Sequence, residues 1–334
     1  MATIKDVAKY LGVSVSTVSR ALNNHPDIRE ETKKQVQEAM ETLNYTPNAL
    51  ARSMIHKKTF TIGLMIPDIA DSFFSGNASG VEEAMAKSGH SVVYVSTSRD
   101  PEKEKRFLSS AVERRWDGLI VTPDNMDERF IDMLQKLEIP VVFLRRKPPK
   151  ELKFPFVDAN HYDGAAQLTE HLIGLGHRNI GFIQLPSQIG AERFEGYLDT
   201  MRKHGLLPLP SLIAKGGRTF ADGRRAMESL YAANLGLTAV FAGNDLLGIG
   251  ALEWLAIHEI PVPDRISVVG FDNRDYSNLH WIQLTTMEQP IIEMGRKAAE
   301  LLLQMISNKE KYADSVLMET RMITRKTTKS VSEV

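Results

Sequence analysis

From Thr59 onward, short apolar runs alternate with longer stretches of helical period, and no other feature constrains the fold of the chain as strongly. Phe60–Pro67 is a near-continuous apolar run of buried-strand type, followed by a helix over about Phe74–Ser88 that Gly89 ends. Further strands are expected at Ser91–Val95, Gly118–Val121 and Pro140–Leu144, with helices between them. A second series begins near residue 161, with strands at Ile180–Ile183, Ala239–Ala242 and Ile266–Phe271. Strands that are apolar throughout and separated by helices predict parallel sheets covered by helices on both faces. Two such units leave a cleft between them, at the carboxyl ends of the strands, where a small molecule binds.

The first 22 residues obey a different rule. They read as two short helices broken by one tight turn, with Ala8, Leu11, Val13, Val18 and Leu22 spaced to pack the helices together. Gly12 supplies the permissive backbone at the bend, and Ser14 is placed to cap the second helix. The exposed face of that helix carries Val15, Ser16, Thr17 and Arg20. Short hydroxyls, a methyl-bearing side chain and one guanidinium suit base edges and phosphates in a major groove, so this segment predicts a helix-turn-helix DNA reader. A third helix, Glu30 to Leu43, follows the turn Asn23–Pro26, and its Val36, Ala39, Met40 and Leu43 are expected to close a small core. Pro47 and Asn48 then introduce Ala49–Met54, an amphipathic piece too short to be a stable helix alone in water.

Composition narrows the function classes. A length of 334 residues suggests two or three domains, and 43% hydrophobic residues can build a sizeable core. With no cysteine there are no disulfides and no thiolate metal sites, which suits a cytoplasmic home. No apolar leader follows a basic stretch, and no run approaches a membrane span, so export and membrane insertion are not expected. The net charge of −1 hides an asymmetry: residues 1–60 hold nine Lys or Arg against six Asp or Glu, while the remainder is mildly acidic. A basic head on an acidic body fits DNA contact at one end. The nine histidines offer general bases, yet no nucleophile elbow, metal-ligand spacing or Walker loop accompanies them. An enzyme is therefore not expected, nor a cofactor or metal, and His177 after a helix stop reads as structural.

The stretch TIKDVAKYLGVSVSTVSRALN, residues 3–23, followed by TLNYTPNALARSM, residues 42–54, resembles the N-terminus of the LacI/GalR family of bacterial transcription regulators. The rest of the chain can be laid over that family from end to end. The resemblance implies an α/β protein with a small all-α helix-turn-helix head over residues 1–46 and a hinge helix or linker over 47–58. The remainder, residues 59–334, would be a periplasmic-binding-protein type 1 core of two parallel-sheet α/β subdomains. The N-terminal subdomain would take about 60–159 and 290–318, and the C-terminal subdomain about 160–288 and 319–332, with crossings near Ala159, Gln289 and Met318. DNA contacts would come from Thr3, Val15, Ser16, Thr17, Arg20 and Asn23 in the head. In the hinge, Asn48 and Arg52 would touch the backbone or groove floor, and Met54 would wedge a central base step where the family usually has leucine. A two-fold homodimer would match a palindromic double-stranded operator. The short polar tail after Lys326 lacks leucine heptads, so nothing beyond a dimer is expected.

For the effector, the resemblance implies Phe73 or Phe74 as a stacking ring, Arg193 as a guanidinium facing the ligand, and Asn244 and Asp272 as partners for vicinal hydroxyls. The bland alternatives are core packing for the aromatic pair and turn capping for the Asx residues. Phe220 falls where the family often has an aromatic wall, and Gln289 at an expected crossing. Two departures stand out. The family commonly reads aspartate then arginine where this chain has Arg145-Arg146, and tends towards proline at Trp281, which would reshape the cleft. An arginine near Arg193 would prefer an anion such as a sugar acid or sugar phosphate; the alternative is that Arg145 points to solvent or pairs with Asp158. The expected function is a repressor of carbohydrate-utilisation genes, switched by a small sugar or sugar acid. Alternatives are a switch worked by a purine or a corepressor protein, or a solute-binding receptor built on the same core.

Overall fold

A computed structural model describes residues 2–22, 25–45, 58–149, 151–233 and 236–331. The chain divides into two units, Met1–Phe60 and Thr61–Val334. In the first, α1 (Ile4–Leu11) begins at Thr3, whose backbone N–H and hydroxyl both donate to the Asp6 carboxylate, at 2.8 and 2.7 Å. Gly12 ends it in the left-handed region (φ 66°), and the Val13 N–H closes the turn on the Ala8 carbonyl at 3.0 Å. The second helix, α2 (Val15–Leu22), is capped by Ser14, whose Oγ accepts from the Thr17 N–H. With α3 (Glu30–Thr42), these helices bury Val7, Ala8, Val18, Ala21, Val36 and Ala39. Leu11, Val13, Leu22, Met40 and Leu43 pack partly buried around that small core.

The second unit contains a six-stranded parallel sheet in the order β11-β5-β4-β3-β1-β2. Its strands are β1 (Thr61–Ile66), β2 (Ser91–Ser96), β3 (Gly118–Val121), β4 (Val141–Leu144), β5 (Phe156–Ala159) and β11 (Val316–Met318). One face is covered by α4 (Ser72–Lys87) and α11 (Ile291–Asn308) through Val81, Met85, Leu302 and Met305. The other is covered by α5 (Pro101–Glu113) and α6 (Glu128–Gln135) through Phe107, Phe130 and Leu134. Because helices cover both faces, β3, β4 and, from Ile62 onward, β1 are buried and apolar, whereas the edge strand β2 is only partly buried. The helices α4 and α11 lie backbone to backbone: a Cβ on Gly80 would stand 1.9 Å from the Ile292 carbonyl oxygen, and one on Gly295 would stand 2.0 Å from that of Asn77.

A four-stranded parallel sheet follows the order β7-β6-β8-β9, with β6 (Ile180–Gln184), β7 (Ile213–Lys215), β8 (Ala239–Ala242) and β9 (Ser267–Val269). Helices α7 (His161–Gly174) and α8 (Gln188–Lys203) pack on one face around Phe182, Tyr197 and Phe241. Helices α9 (Phe220–Ala233) and α10 (Asp245–Ile257) pack on the other around Met227, Leu230 and Leu247. A short antiparallel pair, β10 (Thr286–Glu288) with β12 (Arg321–Ile323), completes this half. The chain therefore passes between the two sheets three times: after β5 into α7, after β10 into α11, and between β11 and β12. These passages bring the carboxyl ends of both sheets to one cleft.

Candidate functional site

In the head, Val15, Ser16 and Arg20 are exposed on α2, while Val18 and Ala21 hold its other side in the core. Thr17 is half-buried and shares a hydrogen bond with the Ser14 hydroxyl at 2.9 Å. Thr3 is exposed, with its hydroxyl committed to Asp6. Presented in this way, α2 offers two short side chains and one guanidinium on a single outward face, an arrangement that fits a major groove. Asn23, Asn48, Arg52 and Met54 lie outside the described residues.

The cleft in the second unit is walled by strand-end loops from both sheets. From the six-stranded half come Asp71, Phe74, Arg99, Asp124, Arg145 and Arg146; from the other come Ser187, Arg218, Asn244, Asp272 and Arg274. The space they enclose amounts to about 90 Å³, the share of only a few waters. Ion pairs span it. Arg274 meets Asp71 at 2.5 Å, and Lys147 meets Glu192 at 2.5 Å. Several wall residues hold positive φ: Arg99 at 61°, Arg145 at 58° and Asp272 at 122°. Such backbone costs energy in non-glycine residues and persists where the surroundings impose it, commonly at binding sites.

Beneath the cleft floor lies a buried polar network, in which Asp158 Oδ2 and Gln289 Oε1 have no hydrogen-bond partner among the described residues. Arg193 is 0% exposed; its Nη1 donates to the Gly243 carbonyl at 2.7 Å and its Nη2 to Asp272 Oδ1 at 2.9 Å. It stacks 3.8 Å over the Phe271 ring and also reaches the His161 Nδ1, while His161 meets Asp158 at 3.1 Å. Gln289 donates to the same Asp272 oxygen at 2.7 Å. Burial holds the His161 imidazole below its usual range despite Asp158, and burial pushes the neighbouring Asp245 carboxyl up. Asp245 accepts from the hydroxyls of Ser277 and Thr286 at 2.5 Å each, which fixes the loop that carries Arg274.

Arg145 differs from these neighbours. Its guanidinium lies 3.5 Å over the Phe73 ring and 5.1 Å from the Phe74 ring, it forms no ion pair among the described residues, and its Nε has no partner. Burial pushes its pKa down to about 10, against the pull of Asp272.

Comparison with known proteins decides the family. Residues 3–48 match the family described as "Bacterial regulatory proteins, lacI family", and residues 169–328 match the "Periplasmic binding protein-like domain". The chain is 32% identical to catabolite control protein A of Priestia megaterium, over 98% of this chain and 99% of that protein. It is 33% identical to the HTH-type transcriptional repressor PurR of Aliivibrio salmonicida, over 98% of each. Among solved structures, the lac repressor dimer bound to operator and the anti-inducer ONPF superposes with a TM-score of 0.87 at 27% identity, over 98% of this chain and 99% of that one. The chain belongs to the LacI family.

Within this LacI-family core, the residues expected at the effector separate into those that line the cleft and those that do not. Phe74, Arg145, Asn244 and Asp272 line it. Asn244 is partly committed, because its Oδ1 caps α10 by accepting from the Leu247 N–H at 3.0 Å. Phe73 is 1% exposed and acts from below, as the platform for Arg145. Arg193, expected to face the ligand, instead lies under Asp272 with its donors satisfied from the protein; a guanidinium this deeply buried needs fixed partners. Gln289 likewise sits behind Asp272. Phe220 is away from the cavity lining: its ring meets Tyr276 edge-on at 5.8 Å on an exposed surface. Trp281 does not reshape the cleft; it is 91% exposed and touches His280. Arg145 neither points to solvent nor bonds Asp158, whose Oδ1 is taken by His161. Arg274, Arg99, Arg218 and Asp124 were not singled out from the sequence, although an arginine in the loop that follows a strand, as Arg99 after β2, is a usable signal.

Proposed function

We propose that the protein is a homodimeric transcriptional repressor that binds a palindromic double-stranded operator through α2 and the segment around Asn48, Arg52 and Met54, and that its operator affinity is set by a small anionic sugar derivative in the cleft. Like its relatives, it works where the DNA is, in the cytoplasm. The observation that carries the effector class is Arg145, a half-buried guanidinium that forms no ion pair among the described residues, stacked on Phe73 and lining the cleft. The cleft is nearly closed by ion pairs in the described state, so a ligand enters only as the two sheets part. Its differential affinity for the open and closed arrangements is what shifts DNA binding. Asp272 and Asn244 supply acceptors and donors for hydroxyls, and Phe74 an apolar face for a ring.

The test is a thermal-shift screen of the full chain against neutral sugars, sugar acids, sugar phosphates and purines, repeated with Arg145→Asp. Stabilisation by an anionic sugar, lost in the variant, is the expected result. A neutral sugar or a purine as the only hit, indifferent to the substitution, overturns the anionic reading.

A further inference from the structure

The excess positive charge of the cleft is not at its floor. There Arg145, Arg193 and Arg274 face the carboxyl groups of Asp71, Asp158, Asp245 and Asp272. At the mouth, Arg99, Arg146 and Arg218 gather around Asp124; Arg146 also feels Asp158 of the floor and Glu104, which is turned inward to accept the backbone N–H groups of Asp124 and Asn125. Arg99 Nη1 lies 2.6 Å from Asp124 Oδ2, Arg218 Nη1 lies 3.9 Å from the same oxygen, and Arg146 Nη2 donates to the Asp124 carbonyl at 3.1 Å. The remaining bond is from Arg218 Nη2 to the Pro186 carbonyl at 3.0 Å, and the Arg146 Nε is buried without a partner. Each guanidinium carries five N–H donors, so most of the fifteen are uncommitted. Arg146 and Arg218 are both held below their usual pKa, by burial first, and Arg218 is lowered further by Arg99 and Arg146 beside it. The carboxylates around them therefore leave a convergent set of planar forks with most of their donors open among the described residues.

We propose that this mouth is a phosphate subsite, in which Arg99, Arg146 and Arg218 share the oxygens of one phosphoryl group while the rest of the ligand extends toward Asn244 and Asp272. The inference rests on the reading of the cleft as the effector site and makes the effector a phosphorylated polyol or sugar. Three forks suit a tetrahedral dianion with three free oxygens; a carboxylate has two oxygens and one charge, and leaves one arginine unserved. Arg99 and Arg146 follow strands of the six-stranded sheet, whereas Arg218 precedes α9 of the other half. A phosphate held by all three thus ties the halves together, and binding energy at the mouth goes directly into closure. The start of α8 adds in the same sense, since Ser187 and Ile189 on its first turn border the cavity.

The experiment is a calorimetric titration of the full chain, at low ionic strength, with inorganic phosphate and separately with acetate. It is repeated on Arg218→Gln, Arg99→Gln and the surface control Arg202→Gln, with circular dichroism to check that each is folded. The expected result is phosphate binding weakened by about tenfold or more in both mouth variants and unchanged in the control, with acetate much weaker than phosphate throughout. Phosphate affinity indifferent to Arg218→Gln and Arg99→Gln, or no phosphate binding by the wild type, overturns the subsite. An Arg145→Gln titration separates this from the effector reading: loss there, with none at the mouth, places the anion on the inner arginine. That outcome discards the subsite but keeps an anionic effector.

Discussion

Arg274 crosses the cleft to grip Asp71 in a two-pronged pair, Nη1 to Oδ1 at 2.5 Å and Nη2 to Oδ2 at 3.3 Å, between residues 203 positions apart in the chain. Asp71 is also the N-cap of α4, accepting from the Phe73 N–H, and Arg274 rides on the loop fixed by Asp245. The pair therefore joins the rigid frame of one half to that of the other. Asp71→Asn should leave a largely buried guanidinium underpaired and lower stability by about 2–3 kcal/mol, read as a drop in the urea midpoint. Small-angle scattering should show a wider cleft without ligand; an unchanged profile and midpoint would remove Asp71 from the latch.

The same pair predicts a pH dependence. Burial alone would raise the Asp71 carboxyl, but Arg274 holds it below its ordinary value. A carboxyl depressed in the folded state stabilises fully at neutral pH, loses its contribution as pH falls through the unfolded value of about 3.9, and contributes nothing below its folded pKa. The urea midpoints of wild type and Asp71→Asn should thus differ by a constant amount from neutral pH to about pH 5 and converge in more acid solution. A gap that persists at the acid end contradicts this account.

Arg145→Met leaves a shorter, unbranched apolar side chain beside Phe73 and removes a cation that has no ion pair among the described residues. The ligand-free protein should gain about 1 kcal/mol, because a desolvated charge is replaced by an apolar chain of similar volume. Its response to anionic sugars should disappear. A lower melting temperature in the absence of ligand would mean that the guanidinium is compensated after all.

Arg193→Met should behave in the opposite way. It strands Asp272, which then keeps only Gln289 and Arg274 as partners, and leaves the Gly243 carbonyl without its donor. A loss of about 3 kcal/mol is expected by chemical denaturation, alongside any loss of effector response. An effector defect with undiminished stability would return Arg193 to direct ligand contact.

Arg20→Ala should weaken operator binding by about tenfold and flatten the salt dependence by about one counterion, measured by fluorescence anisotropy across a salt series. Arg20 is exposed on α2 and no ion pair fixes it among the described residues, so folding should be unaffected. Unchanged affinity would take the residue out of the DNA contact.

Much of the architecture was legible because it is local. The buried strands β1, β3, β4, β6 and β8 announce themselves as continuous apolar runs, and Gly12 and Ser14 mark the turn of the head by their backbone chemistry. The strands β5, β7, β10, β11 and β12 were not anticipated. Each is three or four residues long, too short to show a period, and each exists because a neighbouring strand offers it a ladder. In the site, strand-end positions were readable at Asn244 and Asp272, but the side of the floor on which Arg193 lies was not.

Sequence alone determined the alternation of the long buried strands with helices, the character of the α2 face and the family, since hydrophobic period, capping residues and motif spacing act within a few positions of the chain. The tertiary structure decided which charges meet. Asp71 finds Arg274, Asp272 covers Arg193, and Arg99, Arg146 and Arg218 converge on Asp124 from two different sheets. Coulomb attraction and desolvation depend on distance through space and on burial, and neither is encoded by separation along the chain.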